Sequence, residues 1–188
     1  MAVVEQRPYR VSEMKEDTES PILVDDIEGC SWWVVHTKSR REKRVRDECA
    51  RMKIRYYLPL YRKYTRNRQR TVSFDVPLFS GYVFVYTGAE GRLEIQRTNY
   101  VANILQVSQT EQLLGELRQV DRALRESMHL EPFGQLRRGT PVRVKQGPMS
   151  GVEGVIVQRK STYKLVLQVD FIRRNVAVEV DIGDVEPV

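Results

Sequence analysis

The sequence predicts an α+β protein: an N-terminal antiparallel sheet with flanking helices, a linker, then a small five-stranded C-terminal β-barrel. Three observations carry this. Between residues 31 and 126, apolar strand-like runs alternate with amphipathic helical segments. Residues 127–138 break both periods and hold Pro132 and Gly134, as a linker does. From residue 139 to residue 188 only two-residue alternation remains, and short strands in so little chain must curl to hide their edges.

Each element has its own warrant. Residues 1–30 are polar, acidic and without period, and read as a disordered tail. Ser31 to Thr37 (SWWVVHT) is aromatic and β-branched, hence a strand. Ser39 and Glu42 have the spacing of a capping box for the helix that follows. Val45, Cys49 and Met52 recur at helical spacing as its buried stripe, while Arg40, Arg44 and Arg51 share a separate flank within about 40°. Tyr56 to Tyr64 is extended and aromatic, with Pro59 favouring an edge position. Arg66 to Arg70 reads as a basic hairpin tip, and Val72 to Leu78 leads into a strong strand, Gly81 to Tyr86. Gly88 to Arg97 can form a short helix, and Val101 to Val107 a further strand. A second capping box, Ser108 and Glu111, opens a long helix with Leu113, Leu117, Val120 and Leu124 on one face. In the last segment Val142 and Val144, then Leu165, Leu167, Val169 and Phe171, then Val176, Val178 and Val180, alternate with polar or smaller partners. Twelve of residues 139–188 are Val, so local preference there favours strands throughout.

The net charge of +6 is unevenly placed. Residues 1–30 hold 3 Lys/Arg against 8 Asp/Glu, residues 38–70 hold 14 against 3, and residues 71–188 hold 14 of each. A concentrated basic segment beside aromatics points to a polyanion, most simply nucleic acid; the alternative is a solvated face. Cys30 and Cys49 make no disulfide framework, which predicts a reduced, cytoplasmic protein. With His36 and His129 they leave little material for zinc, and neither a metal nor a cofactor is expected. No run approaches the ~18 apolar residues of a membrane helix, and no secretory leader is expected. Asp75, Glu90 and Glu94 are too scattered for a catalytic carboxylate cluster, which argues against an enzyme.

Two segments carry a resemblance. Gly139 to Val157 (GTPVRVKQGPMSGVEGVIV) resembles a KOW module, with a Gly147-Pro148 turn and then Gly151 and Gly154 before an apolar strand. Ser31 to Thr37, a basic helix, and then Pro77-Leu78-Phe79-Ser80-Gly81-Tyr82-Val83-Phe84-Val85 resemble the N-terminal (NGN) domain of the NusG family. The order of the two also fits that family, over residues 31–188. The implied domains are 31–126 (NGN-like) and 139–188 (KOW barrel), joined by the linker 127–138. The Pro77–Val85 run and the His36-Thr37-Lys38 exit look closer to specialised antitermination paralogues such as RfaH. Ser80 stands where NusG usually has Pro. The region 88–97 is shorter than in RfaH and lacks its His-Thr-Thr element, so that second polymerase contact is not carried over.

The resemblance implies a non-enzymatic, monomeric transcription elongation or antitermination factor. His36, Leu78, Phe79 and Tyr82 match the depression that binds the clamp helices of the RNA polymerase β′ subunit. Leu78 and Phe79 could equally be core, and His36 an ordinary strand residue. Lys38, Arg44 and Arg51 match positions that touch the non-template DNA strand, and Arg40 joins them by helix geometry. Met149, Val152, Phe171 and Ile172 match the face that recruits a small-subunit ribosomal protein or the termination factor Rho, although Phe171 shares a face with Leu165. The rival reading is an RNA-binding ribosomal or translation protein. It is disfavoured because residues 139–188 are near neutral, with 7 Lys/Arg and 6 Asp/Glu, a poor electrostatic match to RNA.

Overall fold

Both faces of the first strand are apolar because both are covered. β1 (Ser31–Thr37) lies in a four-stranded antiparallel sheet with β2 (Arg55–Tyr57), β5 (Tyr82–Thr87) and β6 (Val101–Gln106), in the order β2-β5-β1-β6. Val35 of β1 and Val83 and Val85 of β5 pack with Val45 and Cys49 of α1 (Glu42–Arg51) and Ile95 of α2 (Ala89–Arg97). Trp32, Val34, Phe84 and Tyr86 belong to a second cluster with α3 (Thr110–Glu126). Between β2 and β5 the chain forms a separate two-stranded hairpin, β3 (Leu60–Asn67) and β4 (Arg70–Pro77). The computed structural model describes residues 27–67, 70–126, 130–134, 139–159 and 162–188. The acidic segment 1–26, the tip residues 68–69 and parts of the expected linker lie outside them.

The C-terminal part is a six-stranded antiparallel sheet in the order β12-β8-β9-β10-β11-β7. Its strands are β7 (Glu131–Phe133), β8 (Thr140–Val144), β9 (Glu153–Arg159), β10 (Thr162–Val169), β11 (Arg174–Val180) and β12 (Val185–Pro187). The five expected strands fall within residues 139–188; the sixth, β7, comes from the segment expected as linker. Three residues around Pro132 show no readable alternation, and proline is tolerated because β7 is an end strand of the sheet. Gly154 is required where β9 crosses β10: a Cβ there would lie 2.6 Å from the Val166 carbonyl oxygen.

α3 joins the two sheets. Its Leu113, Leu114, Leu117, Val120 and Ala123 are all buried, a wider stripe than one face needs. The cluster containing them runs from Trp32 and Phe84 to Val142, Val152, Leu165, Leu167, Ile172 and Val176. Hydrogen bonds fix the C-terminal side of this contact. Glu116 Oε2 accepts from the Asp170 amide at 3.0 Å, and Gln119 Oε1 from the Glu153 amide at 3.4 Å. Gln112 Nε2 donates to Asp170 Oδ2 at 3.4 Å.

Two local expectations are corrected. The capping box Ser39/Glu42 does not form: α1 begins at Glu42, with Arg41 preceding it and no side-chain cap. Arg40 turns the chain in the left-handed region (φ 59°), which places Ser39 too early to cap. Phe171 and Ile172 do not continue β10; they form a 3-10 turn, Asp170–Ile172, ended by Arg173 at φ 50°.

Candidate functional site

The β1–β5 ladder pairs His36 with Tyr82 at the end of the sheet. Their rings stack with centroids 5.1 Å apart and planes 24° apart. His36 is exposed and Tyr82 half-buried. Beside them the chain reverses at Gly81, whose φ of 88° suits glycine. The buried Glu42 of α1 secures this turn: its Oε1 accepts the Gly81 amide at 2.7 Å. Glu42, read from the sequence as a cap, therefore positions the aromatic pair.

Leu78 and Phe79 do not share that surface. Each is only 2% exposed. Phe79 meets Phe84 edge-on, with centroids 6.1 Å apart, and the Leu78 amide donates to the Pro59 carbonyl at 2.8 Å. Both sit in the cluster shared with α3, so of the four residues matched to the clamp-binding depression only His36 and Tyr82 reach solvent.

The basic residues flank the pair. Lys38 leaves β1 and donates to Asn99 Oδ1 at 2.6 Å. Arg40 is exposed in the turn before α1, not on the helix. Arg44 and Arg51 lie two turns apart on one side of α1, but Glu48 lies between them and pairs with Arg51 at 2.7 Å. Arg46 pairs with Asp47 at 2.7 Å, and Lys43 reaches the Asp75 carbonyl at 2.7 Å. Arg40 and Arg44 are left as exposed cations on this side.

The four residues matched to the partner face of the C-terminal sheet are gathered together. Val152 and Ile172 are buried, Met149 and Phe171 are half-buried, and all belong to the cluster around α3. Sequence reasoning missed what covers them. Gln112, Glu116 and Gln119 on the polar flank of α3 bond to Asp170 and Glu153 beside that face. It also missed Arg174, whose guanidinium carbon lies 5.9 Å from the Tyr82 ring centroid. The only sequence signal there was the Arg173-Arg174 pair at the start of β11. The strand form of the C-terminal segment thus touches both candidate surfaces.

Residues 30–122 match the family model described as transcription termination factor nusG. The N-terminal domain of this chain belongs to the NusG family. Among solved structures, NusG of Thermotoga maritima, described for its domain interaction, is 20% identical over 85% of this chain and 97% of that one, with a TM-score of 0.48. A chain of the MjSpt4:Spt5 complex is 14% identical over 84% of this chain and 98% of that one, with a TM-score of 0.26. Among curated proteins, none matches this sequence. The family supports a role in transcription elongation. Among the described residues, no helix is long and apolar enough to cross a membrane.

Proposed function

We propose that the chain is a transcription elongation factor that binds RNA polymerase at the β′ clamp helices through the surface around His36 and Tyr82. The stacked, solvent-facing aromatic pair on a NusG-family domain carries this reading. An aromatic pair on a rigid strand pair suits an amphipathic coiled coil. Arg40, Arg44 and Lys38 would meet the non-template DNA strand beside it. Binding the closed clamp more tightly than the open one would suppress pausing or termination, since a ligand shifts an equilibrium only through differential affinity.

The C-terminal sheet acts as the recruiting module, a KOW barrel that takes a small-subunit ribosomal protein or Rho on Met149, Val152, Phe171 and Ile172. As the chain is folded here, α3 covers that face, so partner recruitment needs α3 and the C-terminal sheet to separate, while Arg174 stands beside the half-buried Tyr82.

The test is retention of core RNA polymerase by immobilised full-length protein, wild type against Tyr82→Ala. Loss of retention in the variant is the expected result. Wild type that retains no polymerase and recovers RNA instead would move the protein to the ribosomal reading. Arg40→Ala with Arg44→Ala should leave retention on DNA-free polymerase unchanged while weakening binding to a complex with an open bubble.

A further inference from the structure

The β3–β4 hairpin belongs to neither sheet, and a two-stranded hairpin alone is marginal in water. It nevertheless exposes Tyr64 (57%), Val72 (49%) and Phe74 (45%). Residues opposite one another in an antiparallel pair share a face. The register pairs Lys63 with Phe74, Thr65 with Val72 and Tyr61 with Val76, so Phe74, Val72, Lys63 and Tyr61 line one face.

Charge indicates what covers that face. Residues 60–77 hold five Lys/Arg and one acid, Asp75. Asp75 lies on the opposite face, opposite Arg62, and the two pair at 3.2 Å. The Phe74 face therefore offers cations and an aromatic with no carboxylate from the hairpin itself. At its base is a groove of about 570 Å³ lined by Tyr61, Arg62, Lys63, Tyr64, Leu130, Glu131 and Pro132. Lys63 borders both the groove and the Phe74 face. The Glu131 carboxylate in the groove is held by Lys164.

We propose that this hairpin is a second nucleic-acid contact that takes single-stranded nucleic acid, a base stacking on Phe74 and phosphates meeting Lys63 and Arg70. Stacking on an aromatic needs an unpaired base, which favours a single strand over a duplex. A second copy of this chain is disfavoured because two such faces would bring like charge together. α1 meets this hairpin where Lys43 reaches the Asp75 carbonyl at 2.7 Å, whereas the proposed contact is on the Phe74 face and does not depend on polymerase.

The test is fluorescence anisotropy of the full chain with labelled oligo-dT and oligo-U of about 15 nucleotides, and with a duplex of equal length. Phe74→Ala changes an exposed residue and should weaken single-strand binding about tenfold while Phe74→Trp retains it. Lys63→Ala should lower the slope of log affinity against log salt by about one. Equal loss with oligo-dT and oligo-U supports stacking without sugar discrimination; loss with one alone supports the site and names its ligand. Binding that Phe74→Ala leaves intact overturns the proposal, as does preference for the duplex. A concentration-dependent dimer in sedimentation that Phe74→Ala abolishes would overturn it too, in favour of self-association.

Discussion

Glu42 holds together the surface on which the polymerase reading rests. Its carboxylate is buried and satisfies the Gly81 amide, which would otherwise lose its partner at a left-handed turn. Glu42→Ala should destabilise the chain by about 1 kcal/mol, read from the urea midpoint, because the half-buried Gly81 amide loses its acceptor. Glu42→Gln keeps an acceptor and should recover most of that loss. Gly154→Ala forces a Cβ against a backbone oxygen that cannot swing away, and should cost about 2 kcal/mol in the same measurement. The two thiols differ in environment. Burial first, then the neighbouring Glu48, pushes the Cys49 thiol up to about 12, whereas Cys30 is half-buried. A thiol reagent at pH 8 should therefore label Cys30 in the folded protein and reach Cys49 only on unfolding. A second fast-reacting thiol would contradict this.

Among the elements, α3 determines the most. Its Leu117 is fully buried in the cluster that spans both sheets, so Leu117→Ala should cost about 3 kcal/mol and loosen both. Glu116, on the flank facing Asp170, adds a pH dependence. Burial first, with a contribution from the Asp170 carboxylate, raises its carboxyl above the usual 4.5, against hydrogen bonds from Gln112 and the Asp170 amide that lower it. For an acid raised in the folded state, the contribution is present below the ordinary value and lost as pH climbs through the raised one. Contact between α3 and the C-terminal sheet should therefore weaken as pH rises from 4.5, and Glu116→Gln should flatten that part of a urea-midpoint profile.

The elements that sequence reasoning reached are those with a long period. The stripe Leu113, Leu117 and Val120 announced α3, and the two-residue alternation announced β8, β10 and β11. What escaped was short or two-sided. β7 has three residues, too few to show alternation. Leu114 and Ala123 widen the α3 stripe because it packs against two sheets at once, which periodicity alone cannot reveal. The candidate site was legible in part for the same reason. His36 and Tyr82 sit on predictable strands, whereas Arg174 reaches Tyr82 from a part of the chain with no local link to it.

At the scale of the whole molecule, one cluster of buried residues extends from the N-terminal sheet to the C-terminal one. Heating should therefore give a single cooperative transition by calorimetry, with enthalpy agreeing with the van't Hoff value; two resolved transitions would mean that the halves unfold independently. Replacing Gln112 and Glu116 together by Ala removes two polar links to Asp170. The radius of gyration from X-ray scattering should increase, and apparent affinity for a partner of the C-terminal face should increase with the fraction of open molecules.

The three-residue strand β7 sets how far such opening can go. It is hydrogen-bonded to β11, and only residues 127–130 lie between it and the end of α3. At about 3.4 Å per residue, that stretch keeps the C-terminal sheet within about 17 Å of the helix it leaves. The released sheet is therefore a leashed competitor at millimolar effective concentration rather than an independent body. A recruited partner must win against a face that is never far away. It must also stand within a short arm's length of the polymerase surface, so the leash selects partners by position as well as by affinity.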